Sequence, residues 1–233
     1  MSEDGGSTFK GPLKSVSGDV GVSVEPGNKT IIWNTLKDQE MIFGDNIVFR
    51  VIVLSKFGKF TDSRDGKTYK TVEIGNQTWM AENLAYKATG GCWAYDNSES
   101  NVAIYGYLYD WETAKNACPQ GWHLPSDAEW ETLTTYLGGE SVVSGKLKES
   151  GTSHWTNPNT SATNEANFTA LPGGCRNYDG PYYYIGKYGY WWSATEQSAG
   201  DVWSRSMSSS SSSKYRSSYH EKNGFSVRCV KDK

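Results

Sequence analysis

The 233-residue sequence has no apolar run approaching the ~18 residues that a membrane-spanning helix needs, so no membrane insertion is expected. It has no excess of positive charge: 23 Lys and Arg stand against 26 Asp and Glu, a net charge of -3, so there is no basic face to displace counterions from a phosphate backbone. Nucleic acid is therefore not an expected ligand. There is no Cys-x-x-Cys pair, and the three histidines, His123, His154 and His220, lie far apart in sequence, so no metal site and no cofactor is expected. No Gly-x-Ser-x-Gly elbow presents a nucleophilic serine. The first twenty residues are polar and rich in Gly and Ser with no apolar export segment, so an exported protein would have lost its signal or would leave by another route.

Aromatic residues and glycine are abundant, with 10 Trp, 15 Tyr, 7 Phe and 25 Gly. That profile favours strands, turns and loops clamped by large rings over a helical bundle. Thr30 to Trp33 and Ile47 to Leu54 are β-branched runs, and Tyr69 to Ile74, turn Gly75-Asn76 and Gln77 to Met80 read as a hairpin. Tyr107, Trp111 and Ala114 recur at helical spacing, and a capping box at Ser126 to Glu129 opens a second helix with Trp130, Leu133 and Leu137 on one face. Gly138-Gly139 ends it, and strand-like pieces return at 190–194, 201–207 and 225–230. One hairpin, two helices and short late strands make the chain α+β. An even number of widely spaced cysteines, Cys92, Cys118, Cys175 and Cys229, suits two disulfides in an oxidising compartment; four buried reduced thiols is the other reading.

Residues 1–56 read as a small all-β segment, 57–64 as a linker and 65–233 as the main domain. The stretch Asp4 to Phe9, with Val16 to Gly21 and Pro26 to Trp33, resembles the second half of an immunoglobulin-like module found before surface domains of gut bacteria and their phages. The alternative is a β appendage of the main domain.

In the main part, Asp65-Gly-Lys-Thr-Tyr-Lys-Thr-Val-Glu-Ile-Gly-Asn-Gln-Thr-Trp-Met-Ala-Glu-Asn-Leu84, Tyr105-Gly-Tyr-Leu-Tyr-Asp-Trp111 and Ala117-Cys-Pro-Gln-Gly-Trp-His-Leu-Pro125 are followed by Phe168-Thr-Ala-Leu-Pro-Gly-Gly174, Trp191-Trp-Ser-Ala-Thr195 and Gly224-Phe-Ser-Val-Arg-Cys229. These blocks resemble the Fibrobacter succinogenes major paralogous domain. The resemblance implies a C-type lectin-like domain with two helices, a short twisted antiparallel sheet and long loops, a fold shared with variable proteins of diversity-generating retroelements. It also implies a Cys118–Cys229 disulfide, with Cys92–Cys175 as the remaining pair. The first would close a loop of about 110 residues, worth on the order of 4 to 5 kcal/mol.

Two clusters invite a binding role. Residues 204–218 hold ten serines, including Ser208 to Ser213, and 178–190 holds six tyrosines. Tyr offers large amphipathic contact at low entropic cost and Ser offers adaptable hydrogen bonding, as in antibody loops. Retroelement diversification, which the resemblance implies, would yield such a mixture. Strand alternation over 201–207 assigns Trp203, Arg205 and Met207 to scaffold packing and turns Ser204 and Ser206 to the ligand side. The expected ligand-binding set is Tyr178, Tyr182, Tyr183, Tyr184, Tyr188, Ser204, Ser206, Ser208, Ser209, Ser210, Ser211, Ser212, Ser213, Tyr215, Ser217, Ser218, Tyr219 and His220.

No catalytic residue is expected. His123 precedes a helix, where a structural hydrogen bond outweighs catalysis, and the acids Glu129, Glu131 and Glu149 read as solvated faces. Neither Glu-Pro-Asn nor Gln-Pro-Asp occurs, so calcium-dependent sugar binding has no signature, and Asn164 to Asn167 reads as a turn. The expected function is non-catalytic recognition of a protein or glycan receptor on another cell surface, displayed from a bacterial surface or a phage particle. An undiversified adhesin or a metal-independent carbohydrate-binding domain is the alternative.

Overall fold

The structure is a computed structural model. It describes residues 57–212 and 216–233, and the backbone of two short strands before them. The chain divides into two compact units, residues 1–54 and 55–233. In the first, β1 (Val16–Gly18) lies antiparallel to β2 (Ile31–Trp33), with Val16 opposite Trp33. The β-branched run at Thr30 to Trp33 supplies β2. The strand expected at Ile47 to Leu54, and most of the proposed immunoglobulin-like segment, lie outside the described residues.

The second unit is mixed α+β. It opens with β3 (Gly58–Thr61), β4 (Thr68–Ile74) and β5 (Gln77–Met80). The β4–β5 hairpin turns at Gly75, whose φ of 63° needs a residue without Cβ, and aligns Val72 with Trp79. Residues 58–61, read from sequence as linker, instead pair along β4. Their Lys- and Gly-rich composition hides one inward ring, Phe60, which lies 5.1 Å from Trp122.

Next come β6 (Cys92–Trp93), a short 3-10 turn (Tyr95–Asn97), α1 (Glu99–Tyr105), β7 (Leu108–Tyr109), α2 (Trp111–Ala117), β8 (Trp122–His123), α3 (Asp127–Tyr136) and α4 (Glu140–Leu147). Asp110 caps α2 by accepting from the Thr113 N–H at 2.9 Å. The capping box of α3 is complete: Ser126 Oγ accepts from Glu129 N–H and Glu129 Oε2 accepts from Ser126 N–H at 2.8 Å. Sequence periodicity finds α2 and α3 and misses α1 and α4. Both missed helices are short, and α4 follows directly on Gly139 (φ 95°) with a glycine of its own at Gly145.

The later strands are β9 (Cys175–Arg176), β10 (Tyr182–Tyr183), β11 (Tyr188–Ser198), β12 (Asp201–Ser208), β13 (Arg216–His220), β14 (Phe225–Ser226) and β15 (Val230–Lys231). One sheet runs β3-β4-β5-β15-β8 and the other β13-β12-β11-β14-β7-β6, while β9 and β10 pair separately. The single strand expected at 225–230 is thus two strands in two sheets. Arg228 sits at the crossing, fully buried: Nη2 donates to Asn83 Oδ1 at 2.7 Å and Nη1 to the Phe168 carbonyl at 2.5 Å. Hydrogen bonds from several directions satisfy the guanidinium, and among the described residues no carboxylate bonds it.

The six-stranded sheet is covered on both faces. Tyr190, Trp192, Val202 and Phe225 join one apolar cluster with Leu84 and Trp111, while Trp191 and Met207 join another with Trp79, Trp130 and Phe168. Among the described residues, no helix is long and apolar enough to cross a membrane.

A tyrosine-lined candidate binding cleft

The alternation of β11 sends Tyr188, Tyr190 and Trp192 to one face of the sheet, with Gly189 and Trp191 to the other. A Cβ at Gly189 would strike the Trp191 ring and the Leu171 carbonyl, so this strand holds its tyrosines in place only with glycine there. Tyr190 stacks on Phe225 at 4.9 Å and 19°, and Tyr219 of β13 stands perpendicular to both, 5.7 and 5.2 Å away. Tyr184 and Tyr188 extend the row at 5.3 Å, and Tyr183 continues it at 5.8 Å from Tyr184. Tyr184 adopts φ 70°, a conformation bulky residues avoid, and keeps its ring half exposed.

These rings enclose a cleft of about 260 Å³. Tyr190 and Phe225 are its buried floor, Tyr183, Tyr184 and Tyr219 its walls, and Asn177, Asn223 and Cys175 its remaining polar groups. No Asp, Glu, Lys, Arg or His is among its lining residues. Burial pushes the Cys175 thiol up to about 12, and burial raises Tyr190 and Tyr219 as well, helped next by the Tyr219 phenol at Tyr190 and by the Cys175 thiol at Tyr219.

With the cleft placed on the carboxy-terminal strands, its relation to known sequences can be stated: residues 72–231 match the family described as the Fibrobacter succinogenes major domain. The chain belongs to that family. No curated protein and no solved structure matches it. The major domain runs from within β4 to β15 and so contains every residue lining the cleft.

Within the major domain the expected binding residues divide. Tyr183, Tyr184, Tyr188 and Tyr219 come together at the cleft and its rim, and Tyr178, 60% exposed, packs on His220 at 5.6 Å beside it. Tyr182 faces elsewhere, its hydroxyl donating to Asn97 Oδ1 and its ring against Tyr95. The parity expected for β12 matches its register: Ser206 lies opposite Tyr190, Ser208 opposite Tyr188, and Val202 opposite Tyr219. The burial is different. Ser204 and Ser206 are buried on an interior strand, where Tyr190 of β11 and Tyr219 of β13 meet across it, and Ser208 and Ser209 at its end are buried as well. Ser204 Oγ donates to the Ser217 carbonyl at 3.1 Å, so the expectation that these serines stand open toward the ligand side meets burial instead.

Ser210 is exposed and Ser211, Ser212 and Ser217 are half-buried, whereas Ser213 and Tyr215 lie outside the described residues. Ser218, opposite Trp203, shares the other face with Arg216, whose guanidinium lies 3.4 Å over the Trp203 ring. On that face Asp127, at the start of α3, accepts from buried Arg205 at 2.8 Å and from Arg216 at 3.0 Å. Burial alone would raise the Asp127 carboxyl, but these two guanidiniums hold it below its ordinary range. Lys148 anchors the end of β12 and the serine run: buried in the core, it donates to the carbonyls of Ser208 and Thr160 at 2.9 Å and of Ser211 at 3.3 Å.

Cys118 is bonded to Cys229, while Cys92 and Cys175 are free thiols. The second bridge fails on geometry. Cys92 is in register with Tyr109, Tyr109 with Phe225, and Arg176 with Gly224, so two strands at ~4.8 Å spacing separate the thiols where a disulfide allows ~7 Å between Cα atoms. Sequence reasoning missed Tyr190, Phe225, Asn177, Asn223 and Cys175 as lining residues. The six-tyrosine run includes the first of these; nothing local marks the two asparagines.

Proposed function

We propose that this protein is a non-catalytic binding protein that presents a tyrosine-rich recognition surface on a C-type lectin-like scaffold. The observation that carries the reading is the cleft itself, a contiguous row of tyrosines framing a concave site of uncharged groups. Large, stiff, amphipathic rings around a depression are what recognition surfaces use for binding energy. The thiol and the imidazole that chemistry would call on are held in other states. Cys175 is held as the neutral thiol, and His123 has Nδ1 against Asp232 at 2.6 Å and Nε2 against Glu129 at 2.8 Å, fastening the carboxy terminus to α3.

The receptor is a protein or glycan on another cell, met outside a bacterial cell or from a phage particle. Retroelement diversification of the Ser and Tyr positions extends the reading. With Ser204, Ser206, Ser208 and Ser209 buried, variation useful for recognition would concentrate at Tyr183, Tyr184, Ser210 to Ser212, Ser217 and Tyr219. A template repeat and reverse transcriptase beside the coding sequence would support this extension, and an invariant set of these codons across isolates would overturn it. The binding reading is tested with labelled full chain on a panel of bacterial cells. The expected result is saturable binding to some strains, at least tenfold weaker after Tyr183→Ala with Tyr184→Ala, as two interface aromatics at ~1 kcal/mol or more each require. Binding indifferent to those rings, or turnover of a substrate lost on His123→Ala or Cys175→Ala, would overturn it.

A further inference from the structure

Two nearly buried polar side chains of the cleft have hydrogen-bonding capacity that the protein does not use. Tyr190 is 7% exposed, and among the described residues its hydroxyl has no hydrogen-bond partner. Asn223 is 8% exposed; its Oδ1 accepts from the Tyr178 N–H at 3.0 Å, which orients the side chain, and its Nδ2 has no partner among the described residues. Both residues line the cleft, and neither polar atom is sealed from solvent, so each can bond a partner that enters it. That partner must offer hydroxyl or carbonyl oxygens at its edge and an apolar face to Tyr190, Tyr219 and Phe225.

Three further observations narrow the chemistry. The lining carries no carboxylate, which leaves a divalent cation without anionic oxygens and a cationic ligand without a counter-charge. The charged group bonded to the cleft wall is itself a cation: Arg176 lies 4.1 Å over Trp93 and donates to the Asn177 carbonyl. The volume of about 260 Å³ falls below the ~300–1,000 Å³ of sites for drug-sized ligands, room for one six-membered ring and not for several residues of extended peptide.

We propose that the cleft binds one neutral pyranose residue of a glycan, its C–H face against the tyrosine rings and its hydroxyls bonded by Tyr190 and Asn223, without a metal ion. This rests on the binding reading above and names its ligand class.

The test uses the full chain and the methyl glycosides of glucose, galactose, mannose, fucose, N-acetylglucosamine and N-acetylgalactosamine, followed by saturation-transfer NMR and calorimetry in EDTA. At least one glycoside is expected to bind, with affinity unchanged by EDTA. Tyr190→Phe keeps the ring and removes the hydroxyl; Asn223→Asp keeps the acceptor for Tyr178 and removes the donor. Each should weaken binding about tenfold, the worth of one well-made hydrogen bond in a buried site, with an unchanged melting temperature. Tyr219→Ala should abolish binding. The inference is overturned if no glycoside binds, if EDTA removes binding, if both isosteric variants bind as the parent does, or if decaproline or tetramethylammonium occupies the cleft instead. Loss of glycoside binding with cell binding still dependent on Tyr183 and Tyr184 would sink the ligand class alone. Loss of both would sink the binding reading as well.

Discussion

Among the buried ionisable side chains, Lys148 and Arg228 are held by backbone carbonyls in place of a counter-charge. Lys148 is bonded to three carbonyl oxygens, and burial lowers its pKa from the ordinary 10.5 to about 8. Between those two values the unfolded chain holds the proton more firmly than the folded one, so stability from this group rises with pH over roughly 8 to 10.5 and is lost as pH falls through 8. Urea midpoints at pH 7.5, 8.5 and 9.5 should therefore climb for the parent relative to Lys148→Met, which has no such proton to lose. Parallel profiles would show that the ammonium is not desolvated as its burial implies. Arg228 uses carbonyls in the same way, but it also shares Asn83 Oδ1 with Trp191, whose Nε1–H donates to it at 2.9 Å.

At the scale of elements, β12 depends on α3 for its position. Asp127 is the first residue of α3 and the partner of both Arg205 and Arg216, so one carboxylate ties two strands to a helix amino terminus, where negative charge is also favoured by the dipole. Arg205 is fully buried, so removing the Asp127 carboxylate breaks a buried ion pair. Asp127→Ala should lower stability by about 3 kcal/mol, and Asp127→Asn, which keeps acceptor geometry without charge, by less. Chemical denaturation of both variants measures the difference; a loss below about 0.5 kcal/mol for Asp127→Ala would show that the bridge does not hold the strand. The same element shows why sequence alternation misleads about exposure. The parity of Ser204 and Ser206 is set locally by the strand, but their burial depends on Tyr190, Tyr219 and the strand partners that bring those rings over them.

At the scale of the whole molecule, Cys118–Cys229 closes a span of 111 residues between the end of α2 and the entry to β15. Constraining a loop of that length in the unfolded chain is worth about 4 to 5 kcal/mol before strain, so Cys118→Ala with Cys229→Ala should cost on the order of 2 to 5 kcal/mol and lower the melting temperature accordingly. The free thiols should behave differently. Burial raises Cys92 to about 11 and Cys175 to about 12, from an ordinary 9.0, which leaves thiolate populations at least about a hundredfold below that of an exposed cysteine. Iodoacetamide at pH 7.5 should label neither appreciably in the folded protein and both in denaturant, with Cys118 and Cys229 unlabelled until reduction. Rapid native labelling of Cys175 would show that the cleft is more open than described.

Local signals along the sequence are enough to specify some elements. These are the β4–β5 hairpin with its Gly75 turn, the capping box and apolar face of α3, the β-branched run of β2, the α+β class and, through its ordered motif blocks, the family. What it could not determine depends on residues far apart in the chain. The cleft draws on residues from Cys175 to Phe225 across several strands, and its two asparagines reach it only through that packing, with the Tyr178 N–H holding one of them. The separation of Cys92 from Cys175 follows from strand order, which no spacing of cysteines encodes. Local chemistry sets which way a side chain points, whereas the rings and strands packed over it decide whether a ligand can reach it.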